Sequence, residues 1–345
     1  MLPRERVRAA IGYSAPDIVP LQIHSSPAGL FEHGEKLLDL MHRTGHDFGD
    51  ARQFAMPAPP GPEDWDPDGR YHAFRTDEWG TGWEFRLFGV WGHRIHYPLA
   101  DLSALEGYRA PAPPPASGPA FEAARQRAAA HKERYFLAGN GGLLFEQMQS
   151  LRPFEDVLIE VAEDTPEINR LADLIVEHQA GLVQYALALD VDAVAFGDDY
   201  GTQKNLFMAP KVWRRFFKPR YRQLFEPIRR AHKPIFFHVC GQVTELLPDL
   251  ADLGVAAVWP QLTAYDLPEL ARRCRDLGLA VQLHPDRGDL MQRATPEEIR
   301  RYLYRLCETF DAAHGGSWLY IEIDPGFPWA NVQALFETVQ KIRGA

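Results

Sequence analysis

The sequence predicts a (β/α)8 TIM-like barrel carrying an aromatic-rich inserted flap, and three observations lead there. Strand-like and helix-like patterns alternate repeatedly along the 345 residues, which makes a parallel α/β architecture the default. No Gly-rich dinucleotide or P-loop fingerprint follows any strand, so an open nucleotide-binding sheet has little support. Polar residues recur where strands end, and in a barrel those ends share the face on which active sites are built. Seven strands are visible, and an eighth is expected in the less regular N-terminal part. Residues 1–345 read as one barrel domain, with residues 54–115 inserted into it.

Taken in order, Arg4 to Ile11 has apolar residues at helical spacing, and Asp17 to His24 reads as a first strand. A helix carrying Leu37, Leu38, Leu40 and Met41 follows. From Phe54 to Pro115 the pattern changes to prolines, glycines and large aromatics, including Trp79, Trp83 and Trp91. Alternation in Trp83–Leu87 and Arg94–Tyr97 predicts a β-hairpin with a glycine turn. So many aromatics are costly to leave in water, so the insertion is expected to pack as a lid.

The second half is more regular. A helix over Ala120–Glu133 leads to a strand over Tyr135–Asn140, and Thr165-Pro166 opens a long helix toward Ala188, with proline where its missing N–H costs nothing. Val191–Phe196 is a strand, and a helix starts near Ala209-Pro210. Pro234 leads in the short apolar strand Ile235-Phe236-Phe237, which ends at His238-Val239-Cys240-Gly241. Further strands are Val255–Pro260, Leu279–His284 and Trp318–Glu322. Between them lie helices from Thr244, over Pro268–Leu277, and from Thr295, where Glu298 completes a capping box. A terminal helix starts at Trp329 or Ala330.

Composition narrows the function. The chain is 46% hydrophobic and 24% charged, with a formal net charge of −10. That balance argues against nucleic-acid or anionic-membrane partners, which bind basic patches. No apolar run approaches a membrane span, and the N-terminus lacks the apolar core of a signal peptide. Three cysteines, Cys240, Cys274 and Cys307, are too few for a disulfide framework, so a reduced, cytoplasmic protein is expected.

Chemistry gathers at the strand ends: His24, Asn140, Asp198 and Asp199, His238 and Cys240, Gln261, His284 and Asp286, Glu322 and Asp324. Side chains alternate along a strand, so His238 and Cys240 face the same way, about 6–7 Å apart along the backbone. An imidazole and a thiolate so placed suit one zinc or another divalent ion, and Glu322 is the expected oxygen ligand from another strand. Asp199, His24 and His284 are the expected acid–base residues, or reserves for a fourth ligand position. Only one of Asp198 and Asp199 can face the mouth. Without a metal, Cys240 would be a thiolate nucleophile beside His238, but two side chains on one strand face are poorly aimed at each other. Cys274 and Cys307 fall in helix patterns and are expected to be inert, and Arg214-Arg215 to lie on a solvated helix face beside a buried Trp213.

At these residues the chain resembles the uroporphyrinogen decarboxylase superfamily. The motifs are Phe196-Gly197-Asp198-Asp199-Tyr200-Gly201-Thr202-Gln203, Ala209-Pro210-Lys211-Val212-Trp213 through Tyr221, His238-Val239-Cys240-Gly241, Leu247-Pro248-Asp249-Leu250, Pro296-Glu297-Glu298-Ile299-Arg300, and Glu322 through Val332. The resemblance implies a barrel, commonly homodimeric, with its site at the strand C-termini. With these motifs, Tyr200, Gln203, Gln261 and Trp83 are candidate substrate contacts.

True decarboxylases of the family grip porphyrinogen carboxylates with an N-terminal Arg-rich motif, whereas Leu21-Gln22-Ile23-His24-Ser25-Ser26 has no arginine. The similarity therefore implies the other branch, zinc-dependent methyltransferases that use a His-x-Cys pair and a later cysteine. In that branch the partners are a small methylated substrate and a separate corrinoid protein. Glu322 stands roughly where the later cysteine would fall, exchanging a soft ligand for a hard one. The alternatives are a decarboxylase or lyase of a small acid, and a non-catalytic barrel that binds a corrinoid or tetrapyrrole.

Overall fold

In the computed structural model, which describes residues 1–344, the chain builds one parallel sheet and one small antiparallel sheet. The strands in chain order are β1 (Leu21–Ser25), β2 (Ala73–Thr76), β3 (Gly82–Phe85), β4 (His93–His96), β5 (Ala138–Gly142), β6 (Ala193–Gly197), β7 (Ile235–Val239), β8 (Val255–Pro260), β9 (Ala280–Leu283) and β10 (Ser317–Ile323). Seven of them pair in parallel in the order β1-β10-β9-β8-β7-β6-β5. Strands covered on both faces need apolar residues at nearly every position, and β7 (Ile-Phe-Phe-His-Val) shows the pattern.

Among the described residues the expected eighth strand does not form. One residue, Asp47, stands in its place between the two edges of the sheet. Its N–H donates to the Leu21 carbonyl at 2.8 Å, and its carbonyl accepts from the Phe136 N–H at 3.1 Å. The segment is flanked by Gly45, at φ +65°, and Gly49, which leaves too short a run for a ladder. The Asp47 carboxylate is fully buried and holds Arg6, Arg343 at 2.7 Å and the Leu21 N–H at 2.8 Å.

The helices are α1 (Pro3–Ile11), α2 (Pro27–His33), α3 (Glu35–Thr44), α4 (Pro119–Lys132), α5 (Leu144–Leu151), α6 (Phe154–Glu163), α7 (Pro166–Ala188), α8 (Pro210–Arg230), α9 (Leu247–Asp252), α10 (Leu267–Asp276), α11 (Asp289–Arg293), α12 (Pro296–Thr309) and α13 (Trp329–Ile342). The predicted helix starts hold: Thr165 accepts the Ile168 N–H, and the Thr295–Glu298 capping box is present. Trp213 is fully buried, while its neighbour Arg214 reaches Asp249 at 2.9 Å. None of the described helices is long and apolar enough to cross a membrane.

Alternation within the strands positions the site. Phe136, Ala193, Phe236, Ala257, Ala280 and Trp318 pack together with Val7 of α1 as an inner cluster. Phe236 stacks on Phe136 at 5.8 Å and meets Trp318 at 5.2 Å, with alanines on the intervening strands making room. Two residues further along each strand, the same parity delivers His238, Trp259, Gln282 and Tyr320. Outward residues such as Val194, Phe237 and Ile321 pack on the helices.

The insertion forms the antiparallel order β2-β3-β4. The predicted hairpin is present as β3 and β4, and β2 adds a third strand along β3. Thr81 Oγ1 donates to the Ser150 carbonyl at 2.7 Å, and the Leu99 N–H to Leu151 at 2.9 Å, fastening the insertion to α5.

Candidate active site

Above the inner cluster lies a cavity of about 1080 Å³. Its floor and wall come from the strand ends, including Asp199, His238, Cys240, Trp259, His284 and Glu322, and its roof from Trp83, Trp91, Arg94 and Tyr97 of the insertion.

His238 and Cys240 follow Phe236 at inward positions, and their side chains meet: Cys240 Sγ lies 3.4 Å from His238 Nε2. The expectation that two side chains on one strand face would be poorly aimed at each other is corrected by this contact. The backbone turns sharply at Gly241, φ +76°, and Gly201 comes so close that a Cβ on Gly241 would lie 2.0 Å from its carbonyl oxygen. Only glycine fits there.

The third group of the cluster is Asp199. Its Oδ1 lies 3.6 Å from His238 Nε2 and accepts the Cys240 N–H at 2.7 Å. One ligand atom each from Asp199, His238 and Cys240 lie within 4.8 Å of one another. Glu322, the expected oxygen ligand, stands outside this group. Its carboxylate is taken by Arg287 at 3.1 Å, with His284 Nε2 at 3.7 Å and His24 Nε2 at 3.8 Å. Arg287 also holds Asp324 at 2.9 Å. Asp199 and not Glu322 thus lies beside His238 and Cys240, while Arg287, four residues beyond the end of β9, pairs with Glu322.

The donor set fits a divalent ion. His238 Nδ1 donates to the Trp259 carbonyl at 3.0 Å, which leaves Nε2 as a lone pair facing Cys240 and Asp199. Burial lowers the pKa of His238, keeping that lone pair free. Burial and the Asp199 carboxylate push the Cys240 thiol up to about 12. That works against a free thiolate nucleophile, whereas a bound cation would offset the cause directly.

The neighbouring aspartates divide as alternation requires. Asp198 is buried on the outer side, where its carboxylate accepts the N–H groups of Leu144 at 2.9 Å and Glu146 at 2.8 Å and the Tyr221 hydroxyl. Burial pushes it up to about 7 against the pull of those donors. Asp198 therefore caps α5 from a different element and fixes Glu146 over the cavity. Glu146 is raised by burial and by Asp199, and is held by Arg94 at 3.3 Å.

Tyr200 is corrected from a substrate contact to a core residue. It is 1% exposed, bonded to Tyr221 at 2.7 Å and stacked on Phe145 at 5.1 Å. Gln261 lines the cavity, and its Oε1 accepts from Gly241 N–H at 3.2 Å and Gln203 at 3.0 Å, so the two glutamines brace the loop that follows β7. Trp83 lines the roof, with its indole N–H on Asp77 at 2.8 Å and Arg94 over its ring at 5.2 Å. His24 is half-exposed at the strand end. Cys274 and Cys307 are both pushed up to about 12 by burial and lie in helices away from the cavity, as expected.

Three residues escaped the sequence reading. Trp259 shares the inward parity of β8 and was legible from alternation alone. Arg287 and Glu146 lie on a loop and on a helix without a local cap signal, and nothing in the sequence pattern marks them.

The sequence profile of uroporphyrinogen decarboxylase (URO-D) matches residues 82–342. The chain belongs to the URO-D family. No curated protein sequence matches it. Among solved structures, a methyltransferase from Methanosarcina mazei is similar at TM-score 0.64 and 14% identity, covering 99% of both chains. A dihydropteroate synthase from Xanthomonas albilineans is similar at TM-score 0.31 and 18% identity over 46% of this chain and 57% of that one. The first likeness shows a shared fold over 99% of the chain; the second is too distant to carry an argument.

Proposed function

We propose that this URO-D family member is a metal-dependent methyltransferase or demethylase acting on a small methylated molecule. The observation that carries the proposal is the convergence of His238 Nε2, Cys240 Sγ and the Asp199 carboxylate at the bottom of the cavity. These three would hold zinc or another divalent ion, with Glu322 a neighbour and not a ligand. When bound, such an ion supplies Lewis acidity toward an oxygen or sulfur of the substrate.

The chain's own groups prepare the site. The Trp259 carbonyl orients His238, and the Asp199 carboxylate fixes the Cys240 backbone while offering its oxygen. Trp83, Trp91 and Arg94 of the insertion line the cavity on the side facing the strand ends. The methyl acceptor is read as a corrinoid on a separate protein, which the open cavity mouth leaves room to approach.

Two features disfavour porphyrinogen decarboxylation. The end of β1 carries His24, Ser25 and Ser26 and no arginine. Apart from Asp198, whose carboxylate is turned to α5, the cavity lining holds five acidic side chains, Asp77, Glu146, Asp199, Asp286 and Glu322, against two arginines, each already paired with an acid. A polycarboxylate would meet repulsion there.

The test is to incubate the metal-loaded protein with a panel of methylated thiols, phenols and carboxylic acids and with cob(I)alamin, following methylcobalamin spectrally. Formation that is lost in His238→Ala is the expected result. Release of carbon dioxide from an acid with no methyl acceptor present would sink it in favour of a decarboxylase.

A further inference from the structure

Trp259 touches both histidines of the cavity, and it touches them with opposite hydrogen-bonding groups. Its backbone carbonyl accepts from His238 Nδ1 at 3.0 Å. Its indole Nε1–H donates to His284 Nδ1 at 3.2 Å. The rings are packed as well, at 4.2 Å between Trp259 and His238 and 5.6 Å between Trp259 and His284.

An indole N–H only donates and a carbonyl only accepts, so each contact dictates where the partner's proton sits. The His238 proton is on Nδ1, and its Nε2 presents a lone pair. The His284 lone pair is on Nδ1, and its proton is therefore on Nε2. That Nε2 is buried without a hydrogen-bond partner in the protein, and the nearest acid oxygen, on Glu322, is 3.7 Å away. His284 also lies edge-on against Tyr320 at 4.6 Å, which fixes its plane.

We infer that Trp259 is a positioning residue that sets the two histidines in opposite tautomers, making His238 a ligand and His284 a neutral hydrogen-bond donor to a substrate oxygen or sulfur in the cavity. With its proton on Nε2 and its Nδ1 lone pair taken by the Trp259 indole, His284 has no free lone pair to offer as a fourth ligand. Burial, Arg287 and the two other histidines hold its pKa well below the usual value, so it acts as an oriented N–H and not as a proton source. The use of that donor rests on the methyl-transfer reading, whereas the tautomers rest on the two contacts alone.

The experiment is long-range 1H–15N correlation spectroscopy of protein labelled with 15N-histidine, with His238 and His284 assigned from His238→Gln and His284→Gln spectra. In the metal-free wild type, His284 is expected as the Nε2–H form and His238 as the Nδ1–H form. In Trp259→Phe, His238 keeps its tautomer, because its acceptor is backbone. His284 loses its donor, and its tautomer ratio moves toward Nδ1–H by about 5- to 10-fold, the worth of one hydrogen bond. An Nδ1–H form of His284 in the wild type overturns the inference whether or not the variant folds, and so does an unchanged ratio in a folded Trp259→Phe. Neither outcome depends on a substrate, so failure here is distinct from failure of the methyl-transfer reading.

Discussion

The two ends of the curled parallel sheet handle charge in opposite ways. At the closed end, buried Asp47 is met by Arg6, Arg343 and the Leu21 N–H, and buried Asp192 by Arg4 at 2.8 Å and Arg8. Every carboxylate there has its partners. At the open end, His238 Nε2, Cys240 Sγ and Asp199 lie together, with Asp199 paired to His238 and, among the described residues, to no arginine or lysine, and His284 Nε2 has no hydrogen-bond partner. A protein folds on satisfied groups and works with unsatisfied ones. The contrast holds for the carboxylates and not for every polar group, since His46 Nδ1 and Ser317 Oγ are also buried without partners.

Breaking the closed end carries the largest expected effect. Asp47→Ala leaves two arginines facing a buried gap and opens the seam between the sheet edges, with an expected loss of about 3–5 kcal/mol. Equilibrium denaturation in urea reads it. Asp198→Ala comes next. It uncaps α5 and removes one of the two partners of the Tyr221 hydroxyl, which keeps Tyr200, for about 2–4 kcal/mol, and a loss under 1 kcal/mol would show that α5 does not depend on the cap.

A pH effect sharpens the same contrast. Burial at the closed end holds His46 down at about 4, against about 6.5 in an unfolded chain. Above pH 6.5 the ring is neutral in both states and its contribution to stability is fully present. As the pH falls from 6.5 toward 4, the unfolded chain takes up a proton that the folded chain refuses, so stability drops. About 1–3 kcal/mol is expected over that window, allowing for partial solvent access, and urea midpoints of His46→Phe should lack this part of the slope.

The smallest effect is expected at the open end. Cys240→Ala in metal-free protein should change stability by less than about 1 kcal/mol, because the thiol is only partly buried and its neighbours His238 and Asp199 keep their other partners.

Much of this division was legible in the sequence. Seven parallel strands, the helix starts at Thr165 and Thr295 and the inward pair His238 and Cys240 all follow from alternation and capping, which are local. What alternation could not supply was long-range. The eighth position is filled by a single residue, Asp47, whose role depends on arginines at both ends of the chain. The choice between Asp199 and Glu322 turns on Arg287, a loop residue with no pattern of its own. Tyr200 follows two aspartates in a motif that looks functional, yet the chain turns after Asp199 and buries its ring against Phe145.

The central claim is that Asp199, and not Glu322, completes a metal site with His238 and Cys240. Elemental analysis of purified wild type, Cys240→Ala, Asp199→Ala and Glu322→Ala tests it most directly. One divalent ion per chain is expected in the wild type and in Glu322→Ala, and a stoichiometry near zero in the other two. A wild type without stoichiometric metal, or one whose metal survives loss of Asp199 but not of Glu322, would contradict the account.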